Sequence, residues 1–493
     1  MPAPGARGGA ADDTASPGGE SWNRGPALLV AAVLFMEHLD GTILVTAAPA
    51  IAADLGVSGA EVGLAITAYL ITVATAIPVG GWLASRFGPR RVFCSSIVVF
   101  TLASVLCALS GSLAVLVLGR VLQGLGGAMM VPVGRLIVLR ATQKRDLLRA
   151  IAYITWPALL APVLAPLAGG LLTTHAGWPW IFLVNVPLGV LALVAALRFV
   201  PDSAPEPRAL DWRGLLWCTA AVFGLVTGME LVAGADRTGT GVLLLVAAAA
   251  SGILAVRWLL RTATPLLDLR VYRVATYRAA NAGGFVYRLV ISSVPFLLPL
   301  LFQDGFGWSP VEAGLLVTAV FVGNLGVKPA TTPLLRRFGF RAVLIGAVAG
   351  GAGCLAACTA LTPDTPVPAL AALLTLSGAL RSIGFSAYNA LQFADVAPEQ
   401  MPSANTLSAT GAQLAGGLGV AAGALALQAS AALGHGLPVG ELFPYHAAFG
   451  LMAALLLVPL AGAVRLSPAA AAEVTGRPAG GRSGASSEPP PRG

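Results

Sequence analysis

The chain has 493 residues, of which 56% are hydrophobic and 11% charged, with a mean hydropathy of +0.81; a soluble domain carries about 25% charged residues, so a soluble globule is excluded. The net charge of +8 comes from 30 Lys and Arg against 22 Asp and Glu, too sparse for the continuous basic face that binds a phosphate backbone, which argues against a nucleic-acid partner. The 5 cysteines lie in apolar stretches without disulfide or zinc-ligand spacing, and neither Lys144 nor Lys328 follows a glycine, so no metal site and no P-loop is expected.

Residues 1–24, rich in Gly, Ala, Pro and Ser, read as a disordered tail, and 466–493 as a second one. Between them, apolar runs of about 18 to 25 residues, each long enough to cross a hydrocarbon core of about 30 Å, recur fourteen times. They lie at 27–49, 60–83, 92–110, 113–138, 149–173, 180–199, 213–233, 240–258, 281–302, 311–333, 342–361, 367–390, 404–432 and 443–464. The first run is long and lacks a small-residue cleavage site, so it is expected to be a retained helix. With both termini inside, Arg237 is the single basic residue left in an outer loop, and Arg120, Arg135, Arg288 and Arg381 lie within spans. Tryptophans near span ends, among them Trp178 and Trp258, are expected to anchor at the headgroup level.

Arg86-Phe87-Gly88-Pro89-Arg90, after the second span, returns as Arg337-Phe338-Gly339-Phe340-Arg341 after the tenth, 251 residues on. Such an echo predicts two related six-helix bundles, at 25–200 and 263–465, with two inserted transmembrane helices within 201–262 and a binding site between the bundles. The fold class predicted is therefore an all-α integral membrane protein.

Several stretches carry a resemblance. Gly81-Trp82-Leu83-Ala84-Ser85-Arg86-Phe87-Gly88-Pro89-Arg90-Arg91 resembles the loop signature of the major facilitator superfamily, and Arg120-Val121-Leu122-Gln123-Gly124 its fourth-helix signature. Leu39-Asp40-Gly41-Thr42, the run from Ala161 to Gly170 and Trp180-Ile181-Phe182-Leu183-Val184-Asn185-Val186-Pro187 resemble the fourteen-helix drug:proton antiporter branch of the EmrB/QacA type. Gly127-Ala128-Met129-Met130-Val131-Pro132 and Val294-Pro295-Phe296-Leu297-Leu298-Pro299-Leu300 are similar to its MdtD-like subgroup. Ser85 stands where the loop signature usually has an acid, and Ala161 and Ala165 where the fifth helix usually has glycines. The resemblance implies a major facilitator fold and a plasma (inner) membrane exporter, not an enzyme. It would exchange protons for amphiphilic or cationic small molecules, with the proton gradient in place of a cofactor and no obligatory protein partner. An exporter of one endogenous metabolite, a proton-coupled nutrient uptake permease and a non-transporting membrane sensor or scaffold are the alternatives.

Charges inside a bilayer cost about 2.5 to 3.5 kcal/mol on insertion scales and normally face a cavity or a partner. Asp40 and Arg120 come out at the same depth, each about 10 Å below the outer surface, so they are expected to pair and carry the coupling proton. Glu37, at i and i+3 with Asp40, would share that role, because two neighbouring carboxylates resist being ionised together. His38, between them, is expected to point to another face, while Glu230, Arg288 and Arg381 are candidates for the substrate cavity or for counter-charges. Arg135 is expected to snorkel toward the inner surface. Gly81 and Gly88 allow close approach and a tight turn, and Arg86, Arg90 and Arg91 are read as an inner-gate latch onto helix carbonyls or acids. Pro162, Pro166, Gly169 and Gly170 allow the fifth helix to bend and pack closely, as the antiporter motif implies, and Asn185 and Pro187 are expected to cap the sixth.

Overall fold

A computed structural model describes residues 24–202, 209–233, 238–434, 440–468, 470, 471 and 474. The tail calls for 1–23 and 475–493, and the outer Arg237, lie outside the described residues. Among the described residues every regular element is helical. The first half holds α1 (Gly25–Leu55), α2 (Gly59–Ala76), α3 (Gly80–Phe87), α4 (Pro89–Ala108), α5 (Leu113–Arg140), α6 (Leu147–His175), α7 (Trp180–Leu183) and α8 (Asn185–Phe199). A hairpin of α9 (Trp212–Ala233) and α10 (Thr238–Arg261) follows. The second half holds α11 (Ala275–Leu300), α12 (Pro310–Gly326), α13 (Lys328–Ala357), α14 (Val367–Ala394), α15 (Met401–Gly434), α16 (Phe443–Leu455) and α17 (Leu457–Arg465).

Twelve helices among the described residues are long and apolar enough to cross a membrane, against the fourteen expected. Outside that twelve, α6 is a helix of 29 residues, and the expected tenth span is divided between the 17 residues of α12 and the first turns of α13. The boundary between the tenth and eleventh spans is a break inside α13 at Gly339, where φ is 77° and ψ 168°. Gly88 makes the same break between α3 and α4, at φ 86° and ψ 142°. Only glycine adopts this region without strain. Each break is flanked by the same pairing, Arg86 over the Phe87 ring at 5.9 Å and Arg337 over Phe338 at 5.4 Å.

The likeness of the halves extends to their helix starts. Ser58 and Glu61 form a reciprocal capping box at α2, and Ser309 and Glu312 form one at α12, the same 251 residues apart. The sequence echo is thus a structural repeat. The inserted hairpin packs on α2 and α15, at the seam of the two halves. Asp211 ties it down, accepting from the Gly214 amide at 2.9 Å, the Trp258 indole at 2.8 Å and the Leu266 amide at 3.1 Å. Trp258 and Trp178 are therefore more than interfacial anchors. Trp178, 6% exposed, donates its indole to Asp54 at 2.9 Å and packs in the core between α1 and α7.

At the end carrying the Gly81–Arg91 loop the cores of the two halves merge. Leu139, Leu147, Leu148 and Ile151 of the first half belong to the core of the second, and Met401 packs against both. Asn405 Nδ2 donates across the seam to the Pro132 carbonyl at 2.6 Å.

Candidate functional site

Asp40 sits mid-helix in α1, 1% exposed, and Arg120 sits in α5, 0% exposed. Their side chains meet, with Arg120 Nη1 donating to Asp40 Oδ2 at 2.5 Å. An isolated charge here would cost several kcal/mol, and the surroundings are built to avoid that. Asp40 Oδ1 accepts from Gln123 Nε2 at 3.1 Å and from Asn185 Nδ2 at 2.8 Å. Gln123 Oε1 in turn accepts from Arg120 Nη1 at 2.8 Å, and Gln123 Nε2 also reaches Ser104 Oγ at 2.7 Å. The guanidinium lies over the Tyr69 ring, its Cζ 4.1 Å from the centroid, while Nε and Nη2 have no hydrogen-bond partner. Asn185 is thus a ligand of Asp40 and not a helix cap: α8 begins with it, and its side chain is turned into the core.

A cavity of about 470 Å³ lies between the two halves. Glu37, His38 and Tyr69 line it, whereas Asp40 and Arg120 do not. The pair is one layer deeper, behind Tyr69, which connects the layers: its ring covers Arg120 and its hydroxyl donates to Glu37 Oε1 at 2.9 Å. Glu37 and Asp40 consequently have separate partner sets. His38 departs from expectation, for its Nδ1 lies 2.7 Å from Glu37 Oε2 and 2.9 Å from the Leu34 carbonyl. Two acceptors on one nitrogen mean that Nδ1 carries a hydrogen. Bonding to the carbonyl one turn back swings the ring alongside Glu37, an orientation that residue spacing alone does not reveal.

The second half supplies Arg288 from α11 and Arg381 from α14 to the same cavity, and Arg135 of α5 joins them. Arg135 therefore faces the cavity, correcting the snorkelling expectation. Arg288 Nη2 donates to Asn389 Oδ1 at 2.7 Å, and its guanidinium lies 5.5 Å from the Phe385 centroid. Asn389, Gln392, Ser408 and Asn281 form a polar network of neutral side chains that receives Arg288. Tyr69, Ser104, Asn389 and Lys328, buried with Nζ on Ser386 at 2.8 Å, were not singled out by the sequence. Polar residues isolated in apolar helices were the available signal. Glu230 lies on α9, but its side chain is outside the described ones.

In the loop, Arg90 Nη2 donates to the Leu197 carbonyl at 2.6 Å, in the last turn of α8 and so within one bundle. Arg86 and Arg91 are exposed, and neither pairs with a carboxylate among the described residues. With Ser85 in the usual acidic position, the seam contact is made instead by Gly81, where an added Cβ would meet Thr406 Oγ1 at 2.5 Å. In α6 the helix is continuous through Pro162 and Pro166, whose side chains lie outside the described ones. Ala161, Ala165 and Gly169 are buried in line, and a Cβ at Gly169 would meet Ile43 at 3.0 Å, so this face seats α6 on the helix that carries Asp40. Nothing lies within 4 Å of a Cβ at Gly170.

Two repeated helical bundles enclosing a charged central cavity define a membrane carrier. The Major Facilitator Superfamily model matches residues 30–270 and 280–488, and the chain belongs to that family. It is 36% identical over 407 residues to the MdtD multidrug resistance proteins of Escherichia coli O6:H1 (strain CFT073) and of Shigella flexneri serotype 5b (strain 8401), covering 81% of this chain and 85% of each relative. Among solved structures, the human organic anion transporter MFSD10 (TETRAN) aligns with a TM-score of 0.63 at 17% identity, over 89% of this chain and 99% of that one. The proton:xylose symporter XylE aligns with a TM-score of 0.60 at 14% identity, over 89% and 94%. These two neighbours speak to the fold alone. The protein is a multi-pass membrane protein of the MdtD-like branch of a transporter family.

Proposed function

We propose that this protein is a proton-coupled multidrug exporter of the inner membrane, moving amphiphilic small molecules outward by alternating access, with both termini on the cytoplasmic side. The observation that carries the reading is the Asp40–Arg120 ion pair sealed behind Tyr69 at the wall of the inter-bundle cavity. Protonating Asp40 removes the charge that Arg120 holds and leaves a buried guanidinium with the Gln123 oxygen and the Tyr69 ring. Such a change is worth several kcal/mol in a dry site, enough to bias two bundle arrangements that differ by a few. Glu37 faces the cavity and bonds Tyr69, which makes it the entry point for the proton. An inward proton yields about 2.3 kcal/mol per 100 mV of membrane potential. No cofactor is needed. The MdtD relatives favour export over the uptake and single-metabolite alternatives.

The test is efflux from proteoliposomes under an imposed pH gradient, comparing wild type with Asp40→Asn. The proton-dependent rate is expected to fall at least about tenfold in Asp40→Asn. A wild-type rate in correctly inserted Asp40→Asn protein sinks the coupling proposal.

A further inference from the structure

The export reading leaves open which charge the cargo carries. Among the described residues, three guanidinium groups, Arg135, Arg288 and Arg381, and one carboxylate, Glu37, line the cavity. Both oxygens of that carboxylate are taken, Oε1 by the Tyr69 hydroxyl at 2.9 Å and Oε2 by His38 Nδ1 at 2.7 Å. An incoming cation would meet a carboxylate whose charge is already partly met by these donors.

The cations are in the opposite condition. Arg288 is 5% exposed, its Nη2 is held by a neutral amide, and its Nε has no partner. Arg381 Nη1 is likewise buried without a partner. No carboxylate pairs with any of the three arginines among the described residues. A guanidinium cannot shed its proton to escape burial, so an anion entering the cavity supplies the counter-charge these groups lack.

The 251-residue repeat makes the asymmetry explicit, because that offset carries Glu37 of α1 onto Arg288 of α11. One bundle presents a satisfied acid where the other presents an unsatisfied base. Leu34, Ile77, Ile154, Ile291 and the Phe385 ring give the wall an apolar part, beside neutral polar groups such as Thr42, Asn324 and Gln413, and the volume of about 470 Å³ holds a two-ring body.

We infer that the cavity selects amphiphilic organic anions, carboxylates or sulfonates on a compact apolar body, whose charge is met by Arg288 and Arg381 on one bundle and Arg135 on the other. The inference rests on the export reading for its direction of transport, but not for the charge preference. An anion between the bundles offsets the repulsion of like charges facing across the seam and so favours closure around the cargo. Membrane potential then helps twice: an outward anion and an inward proton both move positive charge inward.

The test uses three near-isosteric probes, 1-naphthylacetate, 1-naphthylacetamide and 2-(1-naphthyl)ethylammonium, with the full chain in phosphatidylcholine nanodiscs. The anion is expected to bind about tenfold more tightly than the amide or the ammonium. Arg288→Gln and Arg381→Gln should each erase most of that preference, read as the ratio of anion to amide affinity, and Arg288→Lys should retain part of it. The inference is overturned if the ammonium or amide binds as well as the anion, if the preference survives both substitutions, or if none of the probes binds. Proteoliposomes with a potassium diffusion potential separate the two readings. An anion that binds selectively but is never moved counts against export and not against the charge preference; an ammonium moved while the anion is excluded does the reverse.

Discussion

Arg120 shows how a residue can be legible and yet incompletely understood from the chain alone. Helical rise puts it level with Asp40, because depth along a membrane helix follows from counting. Its partners beyond Asp40, namely Gln123 and the Tyr69 ring, come from three-dimensional packing. Arg120→Ala strands the Asp40 carboxylate with only two amides, and breaking a buried pair in this way costs about 3–5 kcal/mol. Thermal unfolding in detergent should show a clearly lower Tm for Arg120→Ala, with the double variant Asp40→Asn, Arg120→Gln recovering much of the loss. An undiminished Tm in Arg120→Ala would mean that the pair does not hold α1 to α5. His38 and Asn185 were misread for one reason: residue spacing fixes where a side chain leaves the helix, while a local carbonyl or a buried acid fixes where it ends.

For the helices, apolar length made the spans readable, but the breaks within them depended on backbone conformation. Gly88 and Gly339 both sit at positive φ with extended ψ, and both could be anticipated from the repeated Arg-Phe-Gly stretch. Gly88→Ala and Gly339→Ala are each expected to destabilise the protein by about 1–3 kcal/mol, through strain and not through lost contacts. Gly346→Ala, in α13 with nothing within 4 Å of its added Cβ, should be close to neutral by the same melting assay. Equal effects at all three would refute the strain account. The tenth span, expected as one apolar run over 311–333, instead passes from α12 into α13 at Val327–Lys328, a change of helix that hydropathy does not register.

For the whole molecule, the two halves are held together at the end bearing the basic loop. The seam is made there by Gly81 against Thr406, the Asn405 to Pro132 bond and the shared core around Met401. Asn405→Ala removes about 1 kcal/mol from that closure, which should raise the population open at this end about fivefold. Gly81→Val, whose side chain cannot fit beside Thr406 and the Pro402 carbonyl, should open it further. Labelling of an Ala409→Cys probe in a Cys94→Ser background, with reagent applied from the side bearing the basic loop, should accelerate in that order. Unchanged labelling in both variants would show that this seam is not a gate. Beside this packing Arg90 holds a carbonyl at the end of α8, while Arg86 and Arg91, with Ser85 in the acidic position, find no carboxylate among the described residues.

Much of this protein follows from its chain by itself. Apolar length dictates a helical membrane protein, the repeated loop dictates two related bundles, and counting along helices puts Asp40 and Arg120 at one depth, because each depends only on local geometry and hydrophobicity. Only the tertiary structure decided that the ion pair lies behind Tyr69 and that Glu37 is already satisfied. It also decided that three arginines from both bundles face one cavity. Those facts depend on how helices distant in sequence rotate against one another, and neither periodicity nor composition determines that rotation.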